Sequence, residues 1–203
     1  MATNVTTDTE LFLKNQLAVT EKHLEDNLMY IKRYNEETIP AKKIKIEEMN
    51  KKKLEKGKPL LEFNYKPIDP NTAEEVVGLR KKIEAYNTAI DLVHYGSYIT
   101  INKGEFTLND YIKFFESKEK TSTIRISCAE KRLEKNRKKL AENKKKNPKK
   151  YGSRPDLPEI NKEIINEQRK LEHWQKVLKL LREKESYIYG IMAHNINIRT
   201  TTR

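Results

Sequence analysis

The chain is short of the residues that break helices and of those that cross-link loops. It contains 6 glycines, 7 prolines and one cysteine, Cys128, in 203 residues. A lone cysteine excludes an internal disulfide, and so few glycines and prolines disfavour a strand-rich fold with many turns. We expect Cys128 to be a small buried thiol at a helix seam rather than a reactive one, in a reducing environment.

Long apolar runs are also missing, which predicts that no helix crosses a membrane. The first ten residues are polar and rich in threonine, without the pattern of a secretory signal. Hydrophobic residues make up 36% of the chain, which suits thin helical packing better than a compact globule. We therefore expect a protein with no membrane partner, located in the cytoplasm or in a particle assembled there.

Catalytic and metal-binding patterns are absent as well. The four histidines, His23, His94, His173 and His194, are scattered, and none lies at the spacing of a metal motif. The glycines are isolated, so they form no phosphate-binding loop. We predict that the protein is not an enzyme, uses no cofactor and has no small-molecule substrate.

Positive charge is abundant, and one segment carries most of it. The formal net charge is +12, and residues 131–154 hold 12 basic and 2 acidic residues, or +10. Closely spaced lysines neutralise nucleic-acid phosphates, although only Tyr151 is interleaved as a base-stacking residue. The same segment also fits a solvated helix face or a contact with an acidic protein. The candidate phosphate contacts are Lys131, Lys135, Arg137, Lys138, Lys139, Lys144, Lys145, Lys146, Lys149, Lys150 and Arg154.

The apolar residues recur at helical spacing over most of the chain. They predict helices near 9–37, 41–56, 72–94, 108–146 and 158–195, with Asp8 capping the first and Pro40 interrupting the chain after it. Asn71 or Thr72 is predicted to cap the third helix. Residues 57–71 contain three prolines and predict an extended loop. Residues 99–108 surround a tight-turn sequence and predict a β-hairpin.

The last two predicted helices match each other as an antiparallel hairpin. Apolar residues would face each other where their numbers sum to 304: Leu140 with Ile164, Leu133 with Leu171, Ile126 with Leu178, and Ile112 with Met192. The predicted fold class is therefore mainly all-α, an elongated helical bundle around this hairpin with one small β-hairpin. We expect a single domain over residues 1–203, with a projecting basic tip at 130–165.

The apolar seams and the chain ends also suggest contacts between copies. Helices this thin often complete their cover by self-association, although the stripes also serve as intramolecular core. The ends, residues 2–7 and 195–203, are either disordered or, through Ile196 and Ile198, form a short strand that is donated to a neighbouring subunit.

Three short motifs occur in an order seen in a known family. They are Asp69-Pro70 before the third helix, the segment from Gly104 to Ile112, which is similar to a Gly-x-Thr-Leu segment that opens a long helix in that family, and Tyr151-Gly152-Ser153-Arg154 before the last helix. Over residues 10–198 this order resembles a small bacterial helical family of unestablished function that is sometimes given the name septicolysin. Two departures are Val93-His94-Tyr95-Gly96, where the family has an asparagine-rich stretch, and the much more basic tip. The resemblance implies a helical, non-catalytic protein and supplies no catalytic residues.

These observations together predict a structural or assembly protein without catalytic activity. It would act by binding, as a subunit of a homo-oligomer or of a larger particle such as a phage or virus particle. The alternative prediction is a nucleic-acid-binding protein without sequence specificity, which uses the lysine-rich tip.

Overall fold

The structure, a computed structural model, describes residues 7–96, 107–151 and 158–201. Within these ranges six α-helices follow one another: α1 Asp8–Arg33, α2 Ile39–Leu54, α3 Glu74–Tyr95, α4 Leu108–Lys146, α5 Pro148–Tyr151 and α6 Pro158–Thr201. A five-residue π-helix, Tyr34–Thr38, joins α1 to α2. The predicted mainly helical character is confirmed, and these three ranges contain no strand. The β-hairpin predicted at 99–108 lies outside the described residues, except that Thr107 and Leu108 open α4.

The predicted bounds of α4 are confirmed, and its first turn shows why the helix begins there. The Thr107 hydroxyl accepts a hydrogen bond from the Asp110 N–H at 3.3 Å, and the Asp110 carboxylate accepts one from the Thr107 N–H at 3.0 Å. This reciprocal capping box satisfies backbone donors that have no partner inside the helix. The threonine of the Thr-Leu motif is therefore the N-cap of α4.

The predicted caps of two other helices are wrong. The Glu10 N–H donates to the Thr7 hydroxyl at 3.2 Å, so Thr7, one residue earlier than predicted, caps α1. Helix α3 begins only at Glu74, because Asp69 holds the preceding residues in a turn by accepting from the Asn71 N–H at 2.8 Å.

The predicted interruption at Pro40 is also wrong, because the chain stays helical through this residue. The Ile39 N–H reaches back five residues to the Tyr34 carbonyl, which marks the π-turn. Pro40 then lies in the first turn of α2, where a missing N–H is tolerated. The wider turn thus lets a proline enter a helical stretch without ending it.

The chain divides into two units, which we describe separately. The α4/α6 unit consists of Met1–Leu13 and Thr88–Arg203, and the arm unit consists of Lys14–Asn87. The single domain, the elongated bundle and the projecting tip at 130–165 remain predictions.

The α4/α6 unit is built on the antiparallel contact of its two long helices. Phe115 and Trp174 lie at the centre of its core, with ring centroids 5.9 Å apart. On α4 the buried residue nearest the C-terminal end is Leu133, and Leu140 is only half-buried. The core therefore tapers toward the basic end of α4. Its other buried apolar residues are Leu13, Ala89, Leu92, Tyr111, Ile112, Ala129, Val177, Leu178 and Leu181.

The first residues of α1 dock onto this core. The Phe12 ring stacks on the His173 ring with centroids 4.5 Å apart, and the Thr9 hydroxyl lies 3.1 Å from His173 Nδ1. Glu10, which is buried, pairs with His94 at 3.3 Å. Polar and aromatic contacts thus hold the first turns of α1 against His94 of α3 and His173 of α6.

The predicted register of the α4/α6 hairpin is wrong. Polar contacts that cross between the helices include Arg132 with Glu163, Glu119 with Gln175, and Glu116 with Arg182. Their residue numbers sum to 295, 294 and 298, not to 304. Because the apolar seam repeats every seven residues, a shift of one heptad fills the same seam positions, and apolar spacing alone cannot choose between them.

Two local predictions also fail. Cys128 is exposed, because its neighbour Ala129 takes the buried seam position. Helix α6 continues to Thr201, so Ile196 and Ile198 lie in a helix rather than in a donated strand or a disordered end. No helix among the described residues has an apolar stretch long enough to cross a bilayer.

Candidate interaction surfaces

The predicted phosphate contacts lie where the core of the α4/α6 unit has tapered away. We call residues 131–154 the basic tip. All predicted contacts on α4 and α5 are exposed except Lys144, which is half-buried, while Arg154 lies outside the described residues. No residue of α4 beyond Leu133 is buried. Residues 134–150 of the tip therefore offer charge to solvent rather than apolar surface.

Six of these lysines share one side of α4. At 100° per residue they fall within about 120° of the helix circumference, opposite Leu133 and Leu140. From Lys131 to Lys146 they extend about 22 Å along the helix. We call them the lysine stripe: Lys131, Lys135, Lys138, Lys139, Lys145 and Lys146.

Few acidic groups neutralise the stripe. Lys138 pairs with Glu134 at 2.7 Å, and this hydrogen bond raises the pKa of Lys138 and lowers that of Glu134. Both side chains are exposed, so salt screens the pair. The lysines in the last turn of α4 also have a structural role, because they face the negative end of the helix dipole. An anion-binding surface and a stabilised helix end are therefore both consistent with this stripe.

A second surface, which sequence reasoning treated only as a weak helix and a loop, lies in the arm unit. We call residues 34–69 the arm; it comprises the π-helix, α2 and the segment that follows α2. No residue of the π-helix or of α2 is buried. A helix with no buried residue gains little stability from packing within its own chain.

Two asparagines fasten the segment after α2 to the arm helix. Asn50 accepts from the Leu61 N–H at 2.7 Å and donates to the Leu61 carbonyl at 2.9 Å. Asn35 does the same for Ile68, at 2.9 Å and 2.7 Å. Each carboxamide thus satisfies both backbone groups of one residue. We call these contacts the asparagine clamps.

The clamps require an extended backbone between them. Asn35 and Asn50 are 15 helical residues apart, or about 22 Å. The seven steps from Leu61 to Ile68 reach about 25 Å at most. The segment can therefore reach both asparagines only when it is nearly extended, and it runs antiparallel to the helix.

Aromatic and aliphatic side chains of the arm are exposed to solvent. The Phe63 and Tyr65 ring centroids are 5.5 Å apart, and Lys42 Nζ lies 4.2 Å from the Tyr65 ring centroid. Rings two residues apart that touch indicate a shared face, as in a strand. The exposed apolar residues of the arm, 36–72% accessible, are Ile44, Met49, Leu54, Leu60, Leu61, Phe63 and Tyr65.

A signal for this segment was present in the sequence. Leu61, Phe63 and Tyr65 alternate with polar residues, which is the two-residue period of a strand. Pro59 and Pro67 flank the alternation and favoured the interpretation as a loop. The segment is a loop in that it pairs with no strand of the described chain. Its Phe63 and Tyr65 side chains nevertheless share one face, as alternate residues of a strand do.

No three His, Cys, Asp or Glu side chains of the described residues come together as ligands for a metal ion. Comparison of the chain with protein-family models, with curated proteins and with solved structures finds no match.

Proposed function

We propose that this chain is a non-catalytic structural or assembly protein, which acts by binding as a subunit of a homo-oligomer or of a larger particle. The observation that supports this most strongly is the exposed arm. Helix α2 buries no residue, yet Ile44, Met49 and Leu54 present apolar side chains that are 58%, 37% and 72% accessible. These three positions lie about 140° apart around α2. The apolar side chains therefore surround a helix that gains no stability from burial in its own chain, and a partner packed against it would supply that burial.

The way the arm is held supports the same proposal. The asparagine clamps fix the extended segment without burying its apolar side chains. A segment fixed in this way loses little conformational entropy when it meets a partner. The arm is therefore prepared for binding but adds little to the apolar core.

Solution mass tests the proposal. We expect sedimentation of the whole chain to give a mass above the 24.0 kDa of one copy, decreasing toward 24.0 kDa on dilution. Replacing Ile44, Met49 and Leu54 with Gln should weaken the association. The matched control replaces three comparably exposed apolar residues outside the arm, Leu11, Ile124 and Ile165, with Gln and should leave the association unchanged. A strict monomer that binds no protein would refute the proposal.

The second candidate function is nucleic-acid binding without sequence specificity. The lysine stripe supports it, since six lysines along about 22 Å of α4 face solvent with only Glu134 and Glu142 among them. Lysine-phosphate contacts give affinity without reading bases. Sedimentation with and without DNA or RNA separates this function from assembly alone.

A further inference from the structure

The arm carries an extended segment, residues 61–67, with a self-complementary sequence. From it we infer that two copies of this chain pair through residues 61–67, as antiparallel strands related by a two-fold axis at Asn64. This inference rests on the proposed homo-oligomer and names its contact. The pairing depends on backbone direction, the charges of two residues and the positions of two rings.

Backbone direction determines which groups are available. Both backbone groups of Leu61 point toward the arm helix, because both bond to Asn50. In an extended chain alternate residues point the same way, so alternation counted from Leu61 turns the backbone groups of Glu62, Asn64 and Lys66 away from the helix. Within the described chain these three residues make no backbone hydrogen bond. Such an edge is a template for another strand.

Antiparallel pairing about Asn64 makes the two segments complementary. Residue numbers in facing pairs then sum to 128, so Glu62 faces Lys66 of the second copy and Lys66 faces its Glu62. Phe63 faces Tyr65 in the same way, which adds two rings from the second copy to the pair already in contact. Opposite charges and aromatic rings are favourable cross-strand pairs, each made twice by symmetry.

Other registers do not give this match. If the numbers of facing residues sum to 126 or 130, the outward backbone groups of the two copies still face each other. In those registers, however, neither Glu62 nor Lys66 lies opposite a charge of the other sign. A sum of 127 or 129 brings outward groups of one copy against groups that point to the arm helix in the other. The sum of 128 is therefore the register selected by both backbone direction and charge.

The prolines are compatible with the pairing and limit its length. Pro67 falls at a position whose N–H would point toward the arm helix, so the missing donor does not interrupt the outward row. Ile68, seven residues after Leu61, also bonds to the arm helix, through Asn35. The alternation is therefore broken once between Leu61 and Ile68, and the inferred pairing places that break at Pro67. The row thus holds the outward groups of three residues from each copy, or six hydrogen bonds between copies.

Charge exchange tests the pairing in the whole chain. Glu62→Lys and Lys66→Glu alone each place like charges opposite each other twice, and each should raise the dimer dissociation constant at least about tenfold. The double exchange Glu62→Lys with Lys66→Glu should restore dimerisation. An equimolar mixture of the two single variants should form a heterodimer, because each then meets the opposite charges.

Matched controls change the same charges outside the paired run. Glu55→Lys and Lys58→Glu alter exposed residues of the same arm and should leave the dissociation constant unchanged. Hydrogen exchange adds a positional measurement: the amides of Glu62, Asn64 and Lys66 should become protected as concentration rises, and those of Phe63 and Tyr65 should not. Circular dichroism verifies that each variant keeps its helix content.

Three results would overturn the inference. One is an oligomer that tolerates both single exchanges; the homo-oligomer would then stand and only this contact would fail. Another is failure of the double exchange and of the mixture to restore association while the single variants dissociate. The third is a wild-type chain that stays monomeric up to high concentration, which would refute the pairing and the proposed homo-oligomer together.

Discussion

The Arg132 guanidinium donates a hydrogen bond of 2.6 Å to the Glu163 carboxylate and so ties α4 to α6. The register predicted from the apolar spacing, in which facing residue numbers sum to 304, would place residue 172 opposite Arg132. Residue 172 lies nine residues after Glu163 along α6. A second pair sets the register in the same sense, since Arg125 lies 3.6 Å from Glu167, a carboxylate in the buried part of the seam. A buried carboxylate is costly without a charged partner, so it restricts which residues can lie opposite it. Leucine and isoleucine need only an apolar neighbour and therefore fit several registers.

The register predicts distances that spin labels can measure. With Cys128 replaced by Ser, labels at 132 and 163 should lie closer together than labels at 132 and 172, because nine helical residues add about 13 Å along the axis. Dipolar spectroscopy on the two doubly labelled proteins gives the comparison. The reverse order would restore the register predicted from the apolar spacing.

Core packing should depend strongly on position along the hairpin. Phe115 is buried against Trp174, so Phe115→Ala should lower the free energy of unfolding by about 3–5 kcal/mol. Leu140 is half-buried near the basic tip, and Leu140→Ala should cost less than about 2 kcal/mol. Urea unfolding followed by fluorescence of the single tryptophan measures both. Equal losses would show that the core does not taper as described.

The sequence predicts most of the helices because their signals are local. Thr107 with Asp110 begins α4, and Asn147-Pro148 ends it, each within a few residues. The register of α4 on α6 depends on pairs far apart in the chain, such as Arg132 with Glu163, and a repeating seam does not specify it. The arm escapes sequence reasoning for the same reason. Asn35 and Ile68 are 33 residues apart, and neither shows by itself that it will hold the other.

The asparagine clamps predict a local effect rather than a global one. Asn50→Ala should release the Leu61 backbone to water, speed hydrogen exchange at Leu61 and make the chain more susceptible to chymotrypsin after Phe63 and Tyr65. The clamp bonds are exposed, so the free energy of global unfolding should change by less than about 1.5 kcal/mol. Asn15→Ala, at an exposed asparagine of α1, is the control and should alter neither measurement. Unchanged exchange at Leu61 in Asn50→Ala would show that the clamp does not hold the segment.

Acid should weaken the docking of the first turns of α1. Burial lowers the pKa of His173 below its ordinary value of 6.5, Lys176 acts in the same direction, and Glu172 and Asp8 oppose it. The unfolded chain then binds a proton at His173 more readily than the folded chain. Stability from this group is therefore present above pH 6.5 and is lost as pH falls toward the folded pKa.

A histidine variant isolates that contribution. Between about pH 7.5 and pH 5, His173→Gln should lose less free energy of unfolding than the wild type does. His23→Gln, at an exposed histidine of α1, should lose as much as the wild type. Equal losses in all three proteins would show that His173 does not contribute to the pH dependence.

The lysine stripe gives the measurement that separates nucleic-acid binding from assembly. Changing its six lysines to Gln preserves helix propensity and removes no buried group, so folding should be unaffected. If the stripe binds nucleic acid, affinity should fall steeply. The slope of log affinity against log salt should then flatten by about 0.9 for each duplex phosphate that the protein no longer neutralises.

A control of equal charge makes that result specific. Lys22, Lys32, Lys43, Lys45, Lys51 and Lys52 are exposed lysines of the arm unit, and changing all six to Gln lowers the net charge by the same amount. If net charge alone attracts the nucleic acid, both six-lysine variants should lose the same amount of affinity for it. If the tip makes the contact, the stripe variant should lose far more affinity than the control variant. Association of the protein with itself should survive the stripe substitutions, since it depends on the arm. Nucleic-acid binding that ignores both salt and the stripe would refute the electrostatic proposal, because phosphate contacts by lysine cannot be insensitive to either.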